Sequence, residues 1–322
     1  MSLLIGSFTV GVLLKLAQRR YLDTPPLPST LFKQIQHLRT LVRPLVVAYL
    51  LAHIGLLGGS AMAGESIAEL VTPSLLSSGL AITIFLVALL TLSHLQIADR
   101  QTRISLATHF GSVSVGTFAA AQEYLIRRQI AFEASSAAWL ALMEVPSIIL
   151  GVILLHGRVP SLKRLIENWE LVVLLATLSL GYLGGNQLLA LLSPVISTPF
   201  STVLCYFLFD MGLDVGKYVV RLAQVSKRLI AFGIGMAVFG SLLGCVVGTL
   251  AGLSTGGVAL LSTLSASASY VAATAALRRI VSAPVISMTL TVALGITLPW
   301  NLLVGIPLYV AMAQLFHHVV LL

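Results

Sequence analysis

The sequence predicts an all-α, polytopic integral membrane protein with about ten transmembrane helices in two inverted five-helix repeats. The first observation behind this prediction is composition: apolar residues make up 57% of the 322 residues, charged residues only 9%, and the mean hydropathy is +1.00. A soluble domain carries roughly a quarter charged residues. The composition therefore disfavours a soluble enzyme, a disordered chain and a nucleic-acid binder. The other two observations are the distribution of basic residues and a weak internal repeat.

Ten apolar stretches are candidates for membrane-crossing helices, each of which needs about 20 mostly apolar residues. They are 2–14, 44–59, 74–95, 104–124, 136–156, 170–193, 196–214, 229–252, 256–276 and 284–316. The first stretch is short for a span, and the last is long. We expect the last one to break at Pro299 and Pro307, because proline removes a helix donor and clashes one turn back.

The basic residues give these spans an orientation. If the loop 15–43 is cytoplasmic, strict alternation places 17 of the 19 Lys and Arg residues inside, and only Arg127 and Arg128 outside. The positive-inside rule therefore predicts both termini outside and the loop 157–169 inside. The net charge of +8 then marks the cytoplasmic side of a membrane protein and does not indicate nucleic-acid binding.

Two motifs recur in the same order in both halves of the chain. The segment 53–59 resembles 210–216 at an offset of 157, and 111–117 is echoed by 262–268 at an offset of 151. Because each half has five spans, an odd number, the second half enters the membrane inverted. Inverted repeats are a recurrent transporter design with the binding site between the halves.

This reasoning divides the chain into three parts. The predicted parts are a first five-span repeat over 1–156, a cytoplasmic linker over 157–169 and a second, inverted repeat over 170–322.

The fourth and ninth spans are rich in small and hydroxyl side chains. Their candidate substrate-binding residues are Ser112, Ser114 and Thr117 in the fourth span and Ser265, Ser267 and Ser269 in the ninth. Close helix packing is one interpretation, since small residues let transmembrane backbones approach. The other is a pair of broken helices that line a ligand cavity, where half-helix N-termini and hydroxyls bind a small anion or sodium.

Three further polar residues are candidates for ion coupling. Glu144 stands just before Pro146, and it could complete a cation site, carry a proton or be a hydrogen-bonded structural acid. Asn301, which follows Pro299, could line the site or satisfy broken backbone. Asp210 lies within the seventh span. The chain has no catalytic triad, zinc-protease or nucleotide-loop motif, so neither an enzyme nor an organic cofactor is expected.

At this point the residues resemble the sodium-dependent bicarbonate transporter family, typified by a cyanobacterial sodium/bicarbonate symporter, as a divergent member. The matching stretches are L-L-A-H-I-G-L-L-G-G, F-G-S-V-S-V-G-T, M-E-V-P, G-G-V-A-L-L-S-T-L-S-A-S-A-S and V-G-I-P-L-Y. The resemblance implies a core domain that moves against a gate domain, a homotrimer, and uptake of bicarbonate with sodium. It also implies that the hydroxyls of the two crossing helices hold the anion. From the residues themselves, Ser114, Thr117 and Glu144 are the candidate sodium ligands.

The chain departs from the family pattern in three places. Tyr270 stands where the typical member has an aspartate, and Glu144 stands where it has a shorter acid. The central loop has about a dozen residues, whereas the typical member has a long one. The resemblance implies regulation by a PII-like cytosolic protein. The shorter loop weakens the expectation of such a partner.

The leading function hypothesis is a secondary transporter of bicarbonate, or a similar small anion, driven by sodium and located in the inner membrane of a bacterium. One alternative is a proton-coupled carrier of small organic anions with Glu144 as the proton site. Another is a non-transporting membrane sensor or scaffold. Membrane lipid surrounds the chain in each case, and no nucleic acid is expected as a partner.

Overall fold

The computed structural model describes residues 2–21, 29–133, 135–157 and 168–320. The protein is 86% helical, and no strand occurs in these ranges, so the all-α prediction is confirmed. The helices are α1 Ser2–Tyr21, α2 Ser29–Met62, α3 Ile67–His94, α4 Arg100–Gly111, α5 Val115–Arg127, α6 Ser136–His156, α7 Trp169–Ile196, α8 Phe200–Val219, α9 Lys227–Leu250, α10 Thr255–Ala266, α11 Ala272–Leu277, α12 Ala283–Val292, α13 Leu298–Trp300 and α14 Ile306–Val320.

Seven segments in the described ranges are long and apolar enough to cross a membrane. They are Gln36–Met62, Leu70–His94, Arg100–Arg127, Ser136–His156, Trp169–Ile196, Lys227–Leu250 and Ala283–Phe316. Each coincides with a predicted span. The predicted span 2–14 falls on α1, and the span 196–214 falls mainly on α8, which carries acidic residues. The span 256–276 falls on the short helices α10 and α11. The predicted linker 157–169 lies almost wholly outside the described residues.

Polar capping residues and a glycine mark where several helices begin and end. Asp99 caps α4 by accepting a hydrogen bond from the Gln101 N–H at 2.9 Å. Ser254 caps α10 in the same way, with its Oγ 3.1 Å from the Gly257 N–H. Gly157 follows α6 with a φ of 73°, a left-handed conformation that glycine adopts without a steric penalty. These signals place the ends of the spans.

The helices pack into two groups. In the four-helix group, α2 packs along α7 and α1 packs along α8. The main group holds α3 to α6 and α9 to α14, and among its fully buried side chains are Phe85, Phe118 and Trp139.

Glycines make the contacts of the four-helix group close. A Cβ on Gly59 would collide with the Leu178 carbonyl of α7, and a Cβ on Gly212 would collide with the Phe8 carbonyl of α1. Small residues allow such backbone approach between transmembrane helices. The two recurrent glycine motifs of the sequence therefore act as helix-packing surfaces.

The predicted break of the last span at Pro299 and Pro307 is wrong. The helix runs on through two π-helical turns, Ala293–Thr297 and Asn301–Gly305, each of which ends shortly before a proline. In a π turn the N–H pairs with the carbonyl five residues back. The extra residue relieves the clash that a proline ring makes with the carbonyl four residues back. The chain thus stays helical across both prolines.

Candidate functional site

Two of the predicted spans are interrupted helices, and their interruptions lie against each other. Residues 112–114 separate α4 from α5, and residues 267–271 separate α10 from α11. The Ser114 N–H donates to the Ser267 Oγ at 3.0 Å, and the Ser269 N–H donates to the His109 carbonyl at 2.8 Å. Of the two interpretations of the hydroxyl-rich segments, the structure therefore contains the broken helices.

The hydroxyls at the two breaks have different partners. The Ser114 Oγ caps α5 by accepting from the Thr117 N–H at 3.2 Å and from the Thr117 hydroxyl at 3.0 Å. The Ser267 hydroxyl donates to a carbonyl one turn back. Ser112 and Ser265 are buried, and neither hydroxyl has a hydrogen-bond partner among the described residues. An unpaired buried hydroxyl costs free energy, so these two are available to a ligand or a water.

Polar side chains from α6 and the last span support the ends of the broken helices. Gly111 is the last residue of α4, and its carbonyl accepts from the Ser147 Oγ at 2.6 Å. Ala266 is the last residue of α10, and its carbonyl accepts from the Asn301 Nδ2 at 3.0 Å. The Asn301 Oδ1 in turn accepts from the Tyr309 hydroxyl at 2.7 Å. Of the two roles open to Asn301 from the sequence, the structure assigns it the satisfaction of broken backbone.

A cavity of about 420 Å³ lies between the four-helix group and the main group. Its polar and ionisable lining residues include Arg43, Ser114, Glu144, Glu170, Asp214, Tyr218, Ser269, Tyr270, Thr274 and Arg278. Of the candidate site residues from the sequence, Ser114, Ser269 and Glu144 line it, as does Tyr270. The remaining ones, which are Ser112, Thr117, Ser265, Ser267, Asp210 and Asn301, are buried and do not line it. The cavity thus brings hydroxyls of both breaks together with carboxylates and arginines.

An ion-pair cluster joins α2 to α8 beside this cavity. Arg39 pairs with Asp210, Arg43 pairs with Asp214, and the Arg39 Nη2 lies 2.9 Å from the Asp214 Oδ1. Lys217 adds a contact of 2.8 Å to Asp214. Removing one partner of such a buried pair leaves an uncompensated charge and is strongly destabilising. Asp210, a coupling candidate in the sequence, is therefore held in this cluster.

The described ranges contain no group of three or more His, Cys, Asp and Glu side chains that could hold a metal ion. The oxygen-rich cavity, with three carboxylates from different helices, two arginines and several hydroxyls, suits a hard monovalent cation or a small anion.

Comparison with known families decides the class of the protein. Residues 37–314 match the Na⁺-dependent bicarbonate transporter superfamily. The chain belongs to this family. None of the curated proteins matches it in sequence.

Family membership identifies a multi-pass membrane protein of a transporter class, and this class implies that the chain is not an enzyme. It also gives a context to the departure at Tyr270, where the resemblance implies an aspartate. Tyr270 and Ser114 line the same cavity, so a phenol from one break and the cap residue of the other face one space.

Sequence reasoning missed two residues of this candidate site. Ser147 follows Pro146 directly, and a single serine in an apolar helix gives no signal of its target carbonyl. Glu170 opens a predicted span, where an acid normally faces water beside the linker. In the structure Glu170 is only 6% exposed and lines the cavity.

Proposed function

We propose that the chain is a secondary active transporter that takes up bicarbonate together with sodium. The observation that carries this proposal is the meeting of two broken helices at a cavity that separates two helix groups. Irregular backbone at membrane depth is tolerated only where it is buried or lines a cavity, and in transporters such sites hold the substrate. The family match supplies the chemical class of that substrate.

The proposed architecture is ten spans in two inverted five-span repeats, in a bacterial inner membrane, with both termini outside. The pairing of α1 with α8 and of α2 with α7 supports it, because a twofold exchange of the halves interchanges these two pairs. The supports of the breaks agree: Ser147 and Asn301 are 154 positions apart, and the carbonyls they reach, on Gly111 and Ala266, are 155 apart.

In the proposed mechanism the main group is the core, the four-helix group is the gate, and the core moves against the gate. Ser114 and Ser269 donate hydroxyls to the anion, and Arg43 and Arg278 add positive charge to the same cavity. Ser112, Thr117, Ser265 and Ser267 shape the two breaks. Glu144, together with Ser114 and Thr117, is the proposed sodium side of the site.

The test is accumulation of labelled bicarbonate by cells that express the chain, in sodium-containing and in sodium-free medium. We expect sodium-dependent accumulation, and we expect Ser269→Ala to lower the apparent bicarbonate affinity by roughly tenfold to a hundredfold, since a ligand oxygen loses its donor. Ser241→Ala is the matched control, because Ser241 is equally buried and donates within its own helix.

Three outcomes would contradict the proposal. Uptake that ignores sodium but follows a proton gradient would indicate the proton-coupled carrier, and absence of any anion flux would indicate the sensor or scaffold. An unchanged affinity in a folded Ser269→Ala protein would remove the serine from the site.

The expected assembly is a homotrimer in lipid. Most of α7 is not covered by the rest of the chain, because only 17% of its most apolar 18-residue stretch is buried. This surface is suited to contact another subunit or lipid. A PII-like regulatory protein is the partner that the family resemblance implies, and residues 158–167 of the short linker that would bear on it lie outside the described residues.

A further inference from the structure

Glu144 is a buried acid without a partner. It lies on α6, is 4% exposed, and has no hydrogen bond or ion pair with any described residue. Its side chain lines the 420 Å³ cavity and also a second cavity of about 460 Å³, which His156, Asn168 and Arg279 line as well. A carboxyl group in this position is either protonated or compensated by a cation, because an ionised acid inside a membrane protein is costly and normally pairs with another group.

Glu170 is a second buried acid on the opposite wall of the same cavity. It belongs to the first turn of α7 in the four-helix group, whereas Glu144 belongs to the main group. Glu170 is also without a hydrogen bond or ion pair to any described residue. The helix N-terminus favours a negative charge on Glu170, but it gives no partner to Glu144.

Neither arginine that lines the cavity forms an ion pair with these two acids. Arg43 pairs with Asp214 and acts on Glu170 only through its charge at longer range, and Arg278 also lines the cavity. Asp214 is compensated by Arg39, Arg43 and Lys217, so Glu144 and Glu170 are the two acids of the cavity without an ion pair. Two carboxyl groups that share a low-dielectric space disfavour each other's ionisation, and a cation between them favours the charged form of both.

We propose that Glu144 and Glu170 together bind the coupling sodium ion between the main group and the four-helix group. The inference rests on the proposed function and deepens it, because it adds a ligand from the gate side. Sodium would then occupy the full site only when the two groups are apposed as they are here. The Ser269 hydroxyl accepts one hydrogen bond and keeps a lone pair that can contribute to the oxygen shell of the ion.

This arrangement also explains why anion and cation would bind together. A bicarbonate at Ser114 and Ser269 adds negative charge to a cavity in which Glu144 and Glu170 have no ion pair, so a sodium ion between these two acids favours bicarbonate binding. Binding linkage is reciprocal, and bicarbonate must therefore raise the affinity for sodium by the same factor.

The experiment measures binding of radioactive sodium to the purified full-length protein, with and without bicarbonate. We expect Glu144→Gln and Glu170→Gln each to lower sodium affinity by at least about tenfold, since each removes a charge-assisted contact. The double variant should lose little more than either single one, because one ion uses both groups. Bicarbonate should tighten sodium binding in the wild type and have no such effect in Glu170→Gln.

Glu123→Gln is the matched control. Glu123 is as buried as Glu144, but it pairs with Arg127 at 2.7 Å and lines neither cavity, so its variant should bind sodium as the wild type does. If Glu170→Gln does not fold, Glu170→Asp keeps the charge on a shorter arm and should show a smaller loss.

Two results would overturn the inference. One is a folded Glu170→Gln or Glu170→Asp protein with wild-type sodium affinity and intact stimulation by bicarbonate. The other is a wild-type protein that exchanges labelled bicarbonate across proteoliposomes but binds no sodium. A wild-type protein that binds sodium but moves no bicarbonate would instead contradict the proposed function, so the two failures can be told apart.

Discussion

Two carbonyl groups at the centre of the molecule show how a helix can be broken inside a membrane protein. The Gly111 and Ala266 carbonyls end their helices, and each receives a side-chain donor in place of a backbone N–H, from Ser147 and from Asn301 respectively. Lipid offers no water to such groups, and each unsatisfied one costs several kcal/mol. The two breaks therefore require these side-chain donors.

The first residue-scale prediction follows from the Ser147 contact. Replacement by alanine leaves the Gly111 carbonyl unpaired in a fully buried place, so we expect Ser147→Ala to lower the free energy of unfolding by about 1–3 kcal/mol. Ser241→Ala is the control, because its hydroxyl bonds a carbonyl within α9. Denaturant unfolding in a defined detergent measures both. Equal stability of the two variants would show that Ser147 does not support the break.

At the scale of elements, backbone contact at glycines explains how the helices of the four-helix group pack. Gly55 and Gly59 of α2 face α7, while Gly212 and Gly216 of α8 face α1. The two pairs are 157 positions apart, which is the offset of the motif repeat in the sequence. The motif in the first half thus packs α2 against α7, and its counterpart in the second half packs α8 against α1.

Gly181 of α7 gives the corresponding test. A Cβ at this position would collide with the Leu56 carbonyl of α2, so we expect Gly181→Val to cost about 1–3 kcal/mol of unfolding free energy through overpacking. In Gly79→Ala the new methyl group meets open space, and better helix propensity should leave stability equal or raised. Thermal unfolding of both proteins measures the contrast. A harmless Gly181→Val would place the two helices farther apart than described.

The sequence could predict the helices and the two breaks, because apolar length and dense hydroxyls in a small-residue segment are local signals. It could not predict the continuity of the last helix, since the π turns before Pro299 and Pro307 depend on packing around them. It also missed Glu170, because an acid at the edge of an apolar run has the same pattern whether it faces water or a cavity. The role of Asn301 stayed open, as its target carbonyl is 35 positions away.

At the scale of the whole molecule, the candidate site lies at the boundary between the four-helix group and the main group. The wall of the cavity comes from α2, α7 and α8 on one side and from the two breaks, α6 and α11 on the other. The ion-pair cluster of α2 and α8 keeps its charges within the four-helix group. A sliding motion between the groups would therefore change the cavity while leaving that cluster intact, as alternating access around a fixed site requires.

The last prediction concerns the orientation of the whole chain. The partition of basic residues assigns the loop after α5, with Arg127 and Arg128, to the outside, and the loop after α8 to the inside. In a background without Cys205 and Cys245, we expect an impermeant maleimide to label Gln129→Cys in intact cells. Ala223→Cys should react only after permeabilisation. Both positions are exposed, so accessibility within the protein does not distinguish them. The reverse pattern would invert the chain, put 17 of the 19 basic residues outside and refute the assignment of the termini.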